Sequence, residues 1–268
     1  MIDLHCHVLP GIDDGPESAQ EAIELARGAM ADGISTIVAT PHVDASHPEV
    51  RAGVIQAAVP AFQARLERAG VRVKIETGAE VAFTRALDLD DAELRALTLG
   101  RGGWLLLECP LNITSTPGFL AAARQLACRG HRILLAHPER CPLFLREPDE
   151  LSQLIAEGML AQVTARSLGG RFGRTVRTAT LHLLARGSVH VIASDGHDAN
   201  RPARIAGHLR SAGLDPGLIA WLTREVPGAL LSGADLPAAP RPARGRPRRR
   251  LTRMVGLPRA GESPVKYK

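Results

Sequence analysis

Residues 1–16 read MIDLHCHVLPGIDDGP: a short apolar run that ends on His5-Cys6-His7 and then turns through Gly11, Asp13, Asp14 and Gly15. On an extended strand, residues two apart share a side, so the imidazoles of His5 and His7 point together while Cys6 points away. A metal ion shared by both rings fits that geometry.

The same design recurs along the chain. Apolar and β-branched runs at residues 1–6, 34–40, 71–77, 104–107, 133–136, 160–165 and 189–194 predict seven strands. Helical spacing predicts helices over 17–32, 50–69, 117–129, 147–157 and 175–186, with two more at 202–211 and 216–225. Strands alternating with helices predict an α/β fold around a parallel sheet, closed or open.

Six of the seven strand candidates stop at a histidine or a carboxylate. These are His5 and His7, His42 in VATPH, Glu80 in ETGAE, Glu108 in LLLE, His137 in LLAHPER, and Asp195 and His197 in IASDGH. Parallel strands bring their C-terminal ends to one face, where α/β folds place their sites. Residues far apart in sequence therefore become neighbours. With Asp14 from GIDDGP, the set holds five imidazoles and four carboxylates. A single ion with open coordination positions uses fewer donors, so two or three ions are expected. Histidine and carboxylate without thiolate suit manganese, iron or zinc. Such a centre attracts anions, activates water and clamps phosphate oxygens, which points to phosphoester hydrolysis by metal-activated hydroxide. Arg140, three residues after His137, and Arg201, four after His197, are placed to bind the phosphate.

Other motifs carry less. Cysteine-based phosphatases need a thiolate loop closed by an arginine; after Cys6, Cys109, Cys128 and Cys141 that offset holds Ile12, Ser115, Leu134 and Glu147. GGRFGR at 169–174 lacks the Lys-Ser/Thr ending of a nucleotide-phosphate loop and is read as a turn near the mouth. His47, His131, His182, His190 and His208 fall off the strand ends and are read as structural.

At 268 residues, 45% hydrophobic and 23% charged, the chain suits one α/β barrel or one ordinary domain plus a tail and excludes collagen-like or wholly disordered classes. No apolar run approaches the roughly 18–20 residues of a membrane helix. No basic segment followed by an apolar signal core stands at the start, so cytoplasmic localisation is expected. The four cysteines form no CxxC pair and are expected as reduced thiols. The net charge of +5 is misleading as a whole, because residues 238–268 hold ten Arg or Lys against Glu262 alone. The body is therefore acidic and the Pro/Arg-rich tail basic. A body of 1–236 and a disordered tail of 237–268 are expected. Eight aromatic residues leave few stacking platforms, so no nucleic-acid partner is expected.

The ordered motifs DLHCHVLPGIDDGP, VATPH, GAE, LLLE, AHPER, GRFGR and SDGH followed by Arg201-Pro202 resemble the polymerase and histidinol phosphatase (PHP) superfamily. Within it, the chain resembles the manganese-dependent tyrosine phosphatases of bacterial capsule and exopolysaccharide operons, over residues 1 to about 230. The resemblance implies a distorted (β/α)7 TIM-like barrel (PHP fold) with a trinuclear site. It assigns His5, His7, Glu80 and Asp195 to one metal, Glu80, Glu108 and His137 to a second, and Asp14, His42 and His197 to a third. It gives Arg140 and Arg201 phosphate-binding roles, with phosphotyrosine on a polysaccharide-export tyrosine kinase as substrate. Two positions depart from the commonest pattern, Gly196 for Ala and Thr164 for Asn. Two rival readings are a small-molecule phosphatase of the histidinol phosphate kind and a non-catalytic adaptor. The basic tail could in addition contact an anionic membrane surface.

Overall fold

The computed structural model describes residues 1–112 and 116–240. Among them are nine strands: β1 (Ile2–Cys6), β2 (Thr36–Ala39), β3 (His42–Val43), β4 (Lys74–Thr77), β5 (Glu80–Ala82), β6 (Trp104–Glu108), β7 (Arg132–Ala136), β8 (Leu160–Thr164) and β9 (Val191–Ala193). All pair in parallel, in the orders β1-β2-β4 and β3-β5-β6-β7-β8-β9.

Two of the seven expected strands are thus each split in two. The path predicted at 34–40 stops at Ala39 and restarts at His42; the path at 71–77 restarts at Glu80. Pro41 has no N–H for a ladder, which accounts for the first break. At the second, a Cβ on Gly78 would lie 2.7 Å from Val38 Cγ1 and 2.9 Å from Leu99 Cδ2, so only glycine fits without a shift. The Glu80 N–H donates to the Pro41 carbonyl at 3.1 Å, which ties the two breaks together.

Closure comes from β9 meeting β1. A bridge pairs Cys6 with Gly196, the His7 N–H donates to the Gly196 carbonyl at 2.8 Å, and the Asp195 N–H donates to the His5 carbonyl at 2.9 Å. The result is the expected seven-path parallel barrel. A Cβ on Gly196 would stand 2.7 Å from Ala203 Cα, so the glycine allows this close approach.

Continuous apolar runs such as Leu105–Leu107 and Ile133–Ala136 are buried because helices cover the outer face while the interior is filled. Helix Ala19–Ala31 starts at a capping box between Ser18 and Glu21 and buries Ala22, Leu25, Ala26 and Ala29. The helix expected over 202–211 begins only at Ala206, where the Asp32 carboxylate accepts from the Ile205 and Ala206 N–H groups. That expected over 216–225 runs Pro216–Ala220, widens to a π turn at Trp221–Glu225 and continues Val226–Ser232. Pro227 would clash with the carbonyl of Thr223 in a regular helix, and the π turn absorbs it. Helices Phe83–Asp88 and Asp91–Ala96 were too short to show a period.

The four cysteines are free thiols. Among the described residues no helix is long and apolar enough to cross a membrane. Trp221 Nε1 donates to the Pro237 carbonyl at 3.0 Å, holding the chain to the barrel at the expected boundary. The expected tail lies, from residue 241 onward, outside the described residues.

Candidate metal centre

All nine predicted donors, eight from the strand ends and Asp14 from the loop after β1, gather at the C-terminal mouth. Three groups have donor atoms within 4.8 Å of one another: His5, His7 and Glu80; Glu80, Glu108 and His137; and His7, Asp14, His42 and His197. Glu80 is the hub. Its Oε2 lies 3.2 Å from His5 Nε2, 3.3 Å from His7 Nε2 and 3.3 Å from His42 Nδ1, while Oε1 lies 2.8 Å from His137 Nε2. Two details differ from the assignment implied by resemblance. His7 also belongs to the third group. Asp195 stands farther off, with Oδ1 at 3.6 Å from His5 Nε2, because its Oδ2 pairs with Arg140 Nη1 at 2.6 Å.

The His5 ring on β1 and the His7 ring just past its end are fixed from behind. The Gln162 Oε1 accepts from His5 Nδ1 at 2.9 Å, and the Asp13 Oδ2 accepts from His7 Nδ1 at 2.5 Å. With both Nδ1 atoms donating, the Nε2 lone pairs face each other 3.2 Å apart. Two acceptors in that position need a cation between them, either a proton or a metal ion. Burial lowers the His5 and His7 pKa values, but their acidic neighbours outweigh it: Glu80 carries His5 up to about 9, and Asp13 with Glu80 carries His7 up to about 10. Burial, then repulsion by Glu80 and Asp44, pushes Glu108 up to about 8. His137 Nδ1 and His42 Nδ1 are buried without a hydrogen-bond partner. The donor set therefore fits divalent cations, whose charge would hold Glu80 and Glu108 ionised together.

Backbone strain sits at the same place. His137 (φ 38°) and Asp195 (φ 53°) are the non-glycine residues in the left-handed region among the described residues. His137 directly follows β7 and Asp195 comes two residues after the end of β9, and each turn swings the side chain over the mouth.

The arginines line the rim. Arg201 Nη2 pairs with Asp14 Oδ2 at 2.9 Å. Arg140 rises from the 3-10 turn Pro138–Arg140 and stacks 4.3 Å from the centre of the Phe172 ring. GGRFGR is thus a turn at the mouth, as expected, and supplies the ring. Sequence reasoning missed Asp13, Gln162, Glu139 and Phe172 as supporting residues. Glu139 is buried, and its Oε1 accepts from the Thr164 N–H at 2.9 Å and the Ser167 hydroxyl at 2.7 Å. Thr164 Oγ1 itself is buried without a partner. Of the histidines read as structural, His131 pairs with Asp91, and the His190 Nδ1 accepts from the Ala161 N–H. His47, bonded to Asp44, stands closer to the site than expected, with its ring 6.0 Å from that of His42.

Known proteins share this architecture. The chain is 31% identical over 199 residues to the tyrosine-protein phosphatase YwqE of Bacillus subtilis (strain 168), covering 74% of this chain and 78% of that protein. It is 26% identical over 205 residues to the tyrosine-protein phosphatase CpsB of Streptococcus pneumoniae, covering 74% and 83%. Among solved structures, one from work on YwqE and CpsB as metal-dependent tyrosine phosphatases superposes with a TM-score of 0.74 at 26% identity, covering 88% of this chain and 96% of that one. Dihydropyrimidinase from Brevibacillus agri, at 10% identity and a TM-score of 0.53, shares the fold alone. The family profile described as capsular polysaccharide synthesis, CpsB/CapC, matches residues 1–210. With that span and these relatives, the chain belongs to the CpsB/CapC family.

Proposed function

We propose that this protein is a metal-dependent protein-tyrosine phosphatase that hydrolyses phosphotyrosine monoesters. The observation that carries the reading is the convergence of two donor groups on one buried carboxylate, Glu80, with a third joined to them through His7, beneath a rim that holds Arg140 and Arg201. In this reading His5, His7, Glu80 and Asp195 hold one ion, Glu80, Glu108 and His137 a second, and Asp14, His42 and His197 a third. His7 stands between the first and third. The centre takes two to three divalent ions, with manganese as the family's metal and iron or zinc compatible with the donors. When bound, such ions polarise phosphoryl oxygens and activate water.

The chain's own residues do the rest. Asp13 and Gln162 hold the His7 and His5 rings so that each Nε2 faces the centre. Arg140 and Arg201 turn from Asp195 and Asp14 to the phosphoryl oxygens and stabilise charge that develops during transfer. Phe172 keeps the Arg140 guanidinium at the rim. A phenol suits the site as leaving group, since its pKa of about 10 is far below that of an alkyl alcohol. The protein partner in this reading is a cytoplasmic tyrosine kinase of polysaccharide export, and the basic tail adds attraction to an anionic membrane face.

The test is phosphate release from a tyrosine-phosphorylated peptide and from histidinol phosphate, side by side, with manganese and with a chelated control. Chelator-sensitive release from the peptide is expected. Preference for histidinol phosphate would keep the site and overturn the substrate.

A further inference from the structure

A third guanidinium stands at the mouth. Arg166 is the second residue of the helix Ala165–Leu168, which begins where β8 ends. β8 lies between β7, whose end leads to Arg140, and β9, whose following loop carries Arg201. The Arg166 guanidinium carbon lies 5.6 Å from the centre of the Phe172 ring, the ring on which Arg140 also stacks. Its helix is anchored to the Arg140 turn, because Glu139 accepts from both the Thr164 N–H and the Ser167 hydroxyl. Arg177 Nε holds the other end through the Leu168 carbonyl at 3.0 Å.

What separates Arg166 from the other two is its lack of a counter-charge. Arg140 pairs with Asp195 and Arg201 with Asp14, both of them donors of the metal centre. Arg166 forms no ion pair among the described residues, and its Nη1 is buried without a hydrogen-bond partner. Burial, then the cation Arg171, disfavours its charged form, against the opposing pull of Asp195. A guanidinium cannot shed its proton in a protein, so the mismatch is relieved by an anion from outside. Because Arg166 forms an ion pair with none of the donor carboxylates, it is left to take an anionic group beside the one that Arg140 and Arg201 face.

We infer that Arg166 binds a second anionic group of the substrate, beside the phosphoryl group held by Arg140 and Arg201, so that the enzyme favours phosphotyrosine flanked by acidic side chains. This rests on the phosphatase reading above.

The experiment compares two phosphotyrosine peptides that differ only in carrying Glu or Gln on both sides of the phosphorylated residue. The readout is the ratio of their kcat/KM values within one enzyme preparation, which a merely structural role of Arg166 does not move. In the full-length wild type the Glu peptide is expected to be favoured about tenfold, the scale of a charge-assisted hydrogen bond. Arg166→Met is expected to bring the ratio close to one, and Arg166→Lys to restore part of it. Added salt should shrink the wild-type ratio, a readout that stands even if a variant folds poorly. A wild-type ratio of one, with chelator-sensitive release from both peptides, would overturn the role of Arg166 and leave the phosphatase reading in place. A ratio unchanged in Arg166→Met would do the same. Absence of release from either peptide would remove the phosphatase reading and this inference with it.

Discussion

The two sides of the barrel are built differently. β6, β7 and β8 run unbroken to the mouth and are buried along almost their whole length. The paths of β2–β3 and β4–β5 break and restart before they arrive. The unbroken side delivers one donor at or just past each of two strand ends, Glu108 and His137. The broken side delivers Glu80 on the first residue of its restarted strand, in register with His42 on one flank and Leu106 on the other. Glu80 therefore lies two residues deeper than Glu108, which pairs with Ala82. At that depth it is 1% exposed and meets four imidazoles. In this barrel the unbroken strands crown the site, and the restarted one sets its carboxylate inside it.

The largest expected effect breaks this comparison at its register. Glu80→Ala should lower phosphate release by about a thousandfold or more and strip metal from the protein, because one carboxylate serves two donor groups. Leu106→Ala, its register neighbour on the unbroken side, should cost about 2–5 kcal/mol in urea unfolding yet keep its metal content. Near-normal turnover in Glu80→Ala would show that the deep carboxylate is not the hub.

Next in size is the rim. Under the proposed role of its guanidinium at the phosphoryl group, Arg140→Met should reduce kcat/KM by about 10²–10³ with metal content unchanged. Loss of metal in that variant would instead make the Arg140–Asp195 pair part of the site's framework.

Asp13→Asn sharpens the comparison further, because Asp13 orients His7 and also accepts from the His42 N–H at 2.9 Å. Metal affinity should fall about 10–100-fold, read by competition with a chelating dye.

The smallest effect is graded and follows pH. In the metal-free protein the acidic neighbours raise His7 to about 10 and His5 to about 9, so both rings carry protons at neutral pH. A metal ion needs the neutral imidazoles, so binding must expel those protons. Apparent affinity should therefore rise with pH and level off as the two rings lose their protons near pH 9–10. Calorimetry in buffers of different ionisation enthalpy should detect proton release at pH 7; affinity independent of pH would contradict the facing-lone-pair geometry.

Much of this was legible in the sequence, for a physical reason. Strands buried on both faces need continuous apolar runs, so a histidine or carboxylate ending such a run stands out, and all eight such residues reach one mouth. The strand at 160–165 ended on no such residue and looked mute. Yet Gln162 on it steadies His5, and the helix after it carries Arg166. Neutral supporting partners give no signal of charge or spacing. Phe172 is equally silent, because stacking beneath Arg140 depends on which turn folds over which strand end. Gly196 carried a trace of its role as a departure from the usual alanine, but the cause is Ala203, seven residues on, pressed against it.

In the proposed reading Glu80 joins two metal positions into one centre. The most direct test is the metal content of the full-length protein after loading with manganese and desalting, measured by elemental analysis for wild type and Glu80→Ala. The three donor groups predict two to three equivalents per wild-type chain and one or fewer in the variant. One equivalent or fewer in the wild type, or an unchanged content in the variant, would contradict it.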